Sequence, residues 1–157
     1  MRKIIVSIPV MLALLLITVP ANAQKKSALK TMTWTTPSKA AHDFASDGAG
    51  HLMNAEFPQA YADLLAAVKL DPNFTVALVF LNNLTTGETK KMYGERARKS
   101  AANKTAGEKL FASLTDDKRT QDERREIWAK LHKMFPDGGM IGIFLYNPQL
   151  RQSVLQE

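Results

Sequence analysis

The sequence predicts an all-α domain of stacked antiparallel helical hairpins, preceded by an export signal. Three observations predict it. Apolar residues recur at helical spacing through most of 38–135. The segments that carry them run for roughly 10–17 residues, an ordinary helix length. Short turns rich in Pro, Gly, Asp and Asn divide them, and helices joined by such turns pack antiparallel.

The amino end is read first. Met1-Arg2-Lys3 is positive, 4–19 is an apolar run, Pro20 breaks it, and Ala21-Asn22-Ala23 has the small residues of a cleavage site. The run falls short of the ~20 residues that span a bilayer comfortably. Residues 1–23 are therefore expected to be a removed signal peptide. The mature chain then starts at Gln24 and is exported, to the periplasm or outside the cell. Loss of Arg2 and Lys3 lowers the formal charge from +6 to +4. The chain has no cysteine, which excludes a disulfide framework, thiolate metal sites and a cysteine nucleophile. The fold must rest on core packing.

Residues 24–37 form a polar, basic lead-in without period, expected to be flexible, with Trp34 placed to dock on the first helix. Thr36 is the expected N-cap and Pro37 the first helical position of a helix over 38–54. Phe57-Pro58 opens a second helix, which Asp71-Pro72-Asn73 stops after Leu70. The third covers 74–84 and is so apolar that it should be buried on most sides. Thr85-Thr86-Gly87 is a turn, and a fourth helix continues over 88–103. Thr105 with Glu108, and Thr120 with Glu123, have capping-box spacing, in which each side chain satisfies a free N–H near the helix start. They open a short helix to Leu114 and a longer one to Phe135, with Ile127, Trp128, Leu131 and Met134 as its core stripe. The apolar run 140–146 is read as helix, with a buried strand as the alternative.

One stretch resembles a known family. In a 34-residue unit starting at Ala41, Phe44 is fourth, Gly48 eighth, Ala60 twentieth, Leu64 twenty-fourth, Ala67 twenty-seventh and Pro72 thirty-second. This is similar to the tetratricopeptide repeat. Gly48 and Ala60 would let two helices approach, while Phe44, Leu64 and Ala67 fill the space between them. A unit from Thr75 keeps Leu78 but has Asn82 and Gly94 at the small positions. A unit from Thr105 keeps Trp128, Leu131 and Pro136 but departs at Glu108, Ala112 and Arg124. The domain 38–157 is thus identified as tetratricopeptide-like, a short α-solenoid with degenerate second and third units.

The resemblance implies a scaffold that binds a protein or peptide in a concave groove, without catalysis or cofactor. The groove positions it implies are His42, Ala45, Ala49 and Leu52, with Asn83 and Lys109 in the weaker units. Some family members clamp a terminal carboxylate there with Lys and Asn; Ala45 and Ala49 stand at the first clamp pair.

No other chemistry stands out. His42 and His51 are nine positions apart and lie on opposite sides of one helix, so they cannot share a metal; Asp47 and His51 do share a face. No phosphate loop or nucleophile elbow occurs. The basic residues of 88–133 offer an alternative function, attachment to anionic lipid or polysaccharide of the cell envelope. Acids are interleaved with them and stacking aromatics are not, so nucleic acid is not an expected partner.

Overall fold

The computed structural model describes residues 29–138, and among them every regular element is helical. The order is α1 (Lys39–Met53), α2 (Phe57–Leu70), α3 (Thr75–Leu84), α4 (Gly87–Ser100), a 3-10 turn (Ala101–Asn103), α5 (Ala106–Ser113) and α6 (Gln121–Met134). Helices α1 and α2 pack together, as do α3 and α4, and α5 and α6. Helix α3 also touches α1, α2 and α5, which places it at the centre. Eight of its ten residues are buried, as its composition demands.

The α1–α2 crossing is set by the smallest side chain. A Cβ on Gly48 would stand 2.9 Å from Leu64 Cγ and 3.2 Å from the Ala60 carbonyl oxygen. Ala41, Ala45, Ala60, Leu64 and Ala67 are fully buried there. Small residues on both helices bring the backbones close, and Leu64 fills the space that Gly48 leaves.

Both expected capping boxes form. Thr105 Oγ1 accepts from Glu108 N at 3.3 Å, and Thr120 Oγ1 from Glu123 N at 3.2 Å. Each glutamate returns the bond to its threonine backbone N–H, at 3.1 and 2.7 Å. Several local details differ from the expected pattern. The N-cap of α1 is Ser38, whose Oγ accepts from Ala41 N at 3.1 Å; Thr36 instead accepts from Ser38 N at 3.2 Å. Pro37 therefore precedes the cap. Helix α3 begins at Thr75, with Phe74 as cap. The expected helix 88–103 starts one residue earlier and tightens into the 3-10 turn at its end.

Phe44 is 39% exposed and Met134 38%, so neither is a core residue as expected. Each has helical spacing but sits at the edge of its stripe: Ala41, Ala45 and Gly48 face inward on α1, and Ile127 and Leu131 on α6. The run 140–146, together with 1–28, lies outside the described residues.

The described part of the lead-in is tied to the fold. Met32 is buried. Lys30 and Asp137 exchange two hydrogen bonds, Lys30 N to Asp137 Oδ2 at 2.8 Å and Asp137 N to the Lys30 carbonyl at 3.3 Å. Thr35 is held by Glu108 and Lys104. The segment 29–37 is a strap laid along the helices.

Candidate functional site

A groove of about 400 Å3 runs between the strap and α1, with α3, α5 and α6 contributing to its wall. That size is typical of small-ligand and side-chain pockets. Its lining includes Trp34, His42, Ala49, Met53, Phe80, Phe111 and Trp128. Four ring contacts cross it from one end to the other. Trp34 lies 5.9 Å from His42 and 5.8 Å from Phe80; Phe80 lies 5.5 Å from Phe111, and Phe111 6.0 Å from Trp128. The last three contacts are edge-to-face, the arrangement that the ring quadrupole favours. Phe80 and Phe111 are buried, while Met53 is 43% exposed and Trp34 and Trp128 are half-buried. The wall is thus a rigid aromatic ladder with an open apolar rim.

The strap shows how this surface treats a peptide. Glu108 is fully buried, and its carboxylate accepts four hydrogen bonds. Thr35 N and Thr35 Oγ1 each donate at 2.8 Å. Thr105 N donates at 3.1 Å and Thr105 Oγ1 at 2.9 Å. Lys104 Nζ donates to the Thr35 carbonyl at 2.8 Å. Both backbone groups of Thr35 are therefore read by side chains, and the adjacent Trp34 ring enters the aromatic ladder. Peptide recognition generally combines these two elements, main-chain hydrogen bonds and a side-chain pocket.

The implied groove residues scatter. His42 and Ala49 line the groove. Ala45 is fully buried in the α1–α2 contact, and Leu52 packs against the core. Asn83 is exposed and does not line the groove. Lys109 lines a separate depression of about 210 Å3 with Arg98, Ser113, Asp116 and Arg119. Sequence reasoning missed Met53, Phe80, Phe111 and Glu108 as groove residues or as the strap's anchor. The signal for the rings was their aromatic character on the first helix of each pair.

The arginines beside that depression are engaged. Arg98 Nη1 donates to the Thr115 carbonyl at 2.7 Å, Arg119 Nε to Ser113 O at 2.9 Å, and Arg124 to the carbonyls of Leu114 and Asp116. They bond carbonyls of 113–116, at and just beyond the carboxyl end of α5, where positive charge is favoured. Arg96 similarly donates to the Pro72 carbonyl at 3.0 Å.

His51 lies in the last turn of α1 and hydrogen-bonds Glu56 through Nδ1, with Asp63 3.5 Å from Nε2. The Glu56 hydrogen bond, with the charges of Glu56, Asp63 and Asp47, raises its pKa above the ordinary ~6.5, against a smaller opposing effect of desolvation. The folded state thus favours the protonated ring. Its stabilising contribution is complete below pH ~6.5 and disappears as pH rises through the raised folded value. Melting curves from pH 5.5 to 8.5 should show the parent losing its advantage over His51→Gln as pH rises. A constant difference between the two would exclude the charge interaction. No group of three metal-ligating side chains gathers among the described residues.

Comparisons with family models, curated proteins and solved structures give no match to this chain.

Proposed function

We propose that this chain is an exported, tetratricopeptide-like helical-repeat protein that binds a protein or peptide in the aromatic groove. The observation that carries the reading is the strap itself. At the groove's edge the domain already holds a peptide segment: Phe80 of the groove wall meets the Trp34 ring, and Glu108 and Lys104, outside the groove lining, bond both backbone groups of Thr35. The helix contacts agree with a repeat arrangement, since α1, α3 and α5 touch in sequence while α2 packs on α1 and α3, and α4 on α3 and α5. The expected signal peptide would deliver the protein to the envelope or beyond.

Attachment to an anionic surface is the weaker reading. Arg96, Arg98, Arg119 and Arg124 are occupied by backbone carbonyls. Their charge still acts at long range, but each already commits one or two of its nitrogens to the fold. The lysines Lys90, Lys91 and Lys99 remain available for such contacts, with Lys91 already paired to Glu88.

Selection of a displayed peptide library on the immobilised protein tests the proposal. Selected peptides should lose tenfold or more in affinity, about 1.4 kcal/mol, with His42→Glu/Met53→Asp. Lys90→Glu/Lys99→Glu should change mainly the association rate and its salt dependence. The reverse pattern, together with salt-sensitive binding to phosphatidylglycerol vesicles, would transfer the function to the basic surface.

A further inference from the structure

We infer that the depression between α4, α5 and the loop before α6 is a binding site for a tetrahedral oxyanion, a free phosphate or the phosphate of a monoester. The site shares no lining residue with the aromatic groove and does not depend on it. Arg98 reaches it from α4, Lys109 from α5 and Arg119 from the loop that leads to α6, and Asp116 adds one carboxylate. Three cations thus stand against one anion, a net charge of +2. Among the described residues no carboxylate forms an ion pair with any of the three. Asp116 instead accepts the Lys118 N–H through Oδ1 at 3.1 Å.

Helix ends account for part of this positive charge. Arg98 lies in the last turn of α4, and Ser113, whose carbonyl Arg119 bonds, is the last residue of α5. Each carboxyl end carries roughly half a negative charge, so the two ends and Asp116 offset about two of the three cations. Lys109 is left over. It stands in the middle of α5, is exposed, and its ammonium bonds nothing among the described residues.

The two arginines are held in place without being used up. Arg98 donates through Nη1 to the Thr115 carbonyl at 2.7 Å and to Thr115 Oγ1 at 3.0 Å, which leaves Nε and Nη2. Arg119 donates through Nε to the Ser113 carbonyl at 2.9 Å, which leaves Nη1 and Nη2. A guanidinium already fixed by carbonyls has lost its rotamer freedom in folding, so an anion that meets it is spared that cost.

The ligand class follows from the donors. They come from three segments of chain, so the acceptor oxygens must point in several directions. A phosphate monoester presents three such oxygens, whereas a carboxylate presents two in one plane. Guanidinium forks pair phosphate oxygens bidentately, and a lysine adds a point charge. The Ser113 hydroxyl is spent on the Leu110 carbonyl at 2.7 Å, so the cations are the donors. Three alanines line the depression without filling it, and its volume of about 210 Å3 lies below the roughly 300–1,000 Å3 of drug-sized pockets. The space suits a compact group.

Titration of the 15N-labelled full chain with sodium phosphate, at ionic strength held constant with chloride, tests the site. Amide signals of Lys109 and 113–119 should shift and saturate. Lys109→Gln should weaken binding about tenfold, or about 1.4 kcal/mol, and it should fold normally because the ammonium bonds nothing in the fold. Arg119→Lys keeps the charge, loses the fork and should weaken binding too. Lys130→Gln, exposed on α6 outside the depression, should leave it unchanged. Shifts that never saturate, or equal weakening by Lys109→Gln and Lys130→Gln, overturn the proposal, because a diffuse charged surface would give both. Acetate that competes as well as phosphate overturns the ligand class. Glycerol 3-phosphate and vesicles of phosphatidic acid separate the two sources of a monoester. Binding of both, each weakened by Lys109→Gln, supports the site and admits a lipid headgroup. Binding of the soluble compound alone supports a site for free phosphates. Vesicle binding that Lys109→Gln leaves intact, without saturable phosphate binding, overturns it.

Discussion

Glu108→Ala is expected to destabilise the protein by about 3 kcal/mol, because one carboxylate both caps a helix and holds the strap. Loss of a capping interaction costs ~1 kcal/mol. Each buried donor left unpaired costs roughly 1–3 kcal/mol, and four donors converge on this group. Water will recover those nearest the surface, since Thr35 and Thr105 are themselves exposed, so the sum falls below the full total. Urea denaturation measures the loss directly. The strap should also loosen at sub-denaturing urea, with Trp34 becoming more accessible to acrylamide. Thr35→Val removes one hydroxyl donor and should cost a smaller part, about 1 kcal/mol. An unchanged midpoint in Glu108→Ala would mean that Met32, Trp34, Lys104 and the Lys30–Asp137 pair hold the strap without it.

Gly48→Leu carries the next largest effect, a loss of roughly 2–3 kcal/mol from overpacking. Its first new carbon already falls 2.9 Å from a fully buried leucine and 3.2 Å from a backbone oxygen. Neither can retreat cheaply, because Leu64 is enclosed and the carbonyl belongs to a helix. Gly50→Ala on the same helix is the control. Its added carbon meets nothing within 4 Å, and removing a helical glycine gains roughly 0.5–1 kcal/mol. Thermal melts of the two variants should therefore move in opposite directions. A Gly48→Leu midpoint equal to that of the parent would mean that α1 and α2 slide apart at little cost.

The two substitutions probe features of unequal visibility in sequence. Capping boxes and turns were legible because they are local: a threonine, a glutamate three residues later, and nothing beyond that turn is required. The tight crossing at Gly48 and Ala60 was legible through the resemblance of 41–74 to a repeat pattern with small residues at those positions. Helical periodicity says that a stripe exists, but not how wide it is, which is why Phe44 and Met134 were placed inside. Thr36 and Ser38 are both competent caps, and only the placement of Ser38 Oγ on Ala41 N separates them. The strap was the least legible part. It has no period, and its partners lie 73 residues away at Glu108 and 107 residues away at Asp137. For the same reason the aromatic ladder was missed: its rings come from the strap, α3, α5 and α6, segments whose adjacency no local pattern encodes.

The pairing of Lys30 with Asp137 also fixes an order of events for a chain that emerges amino end first. The strap is made early, but its last anchor is delivered 107 residues later. At synthesis rates of ~5–20 residues per second, that separation amounts to roughly 5–20 s. Trp34 gains its ring partners once Phe80 has emerged, Thr35 its own once Glu108 has, and Lys30 waits for Asp137. The strap of the nascent protein is thus fastened from its carboxyl end backwards, and its first described residues are the last to be tied.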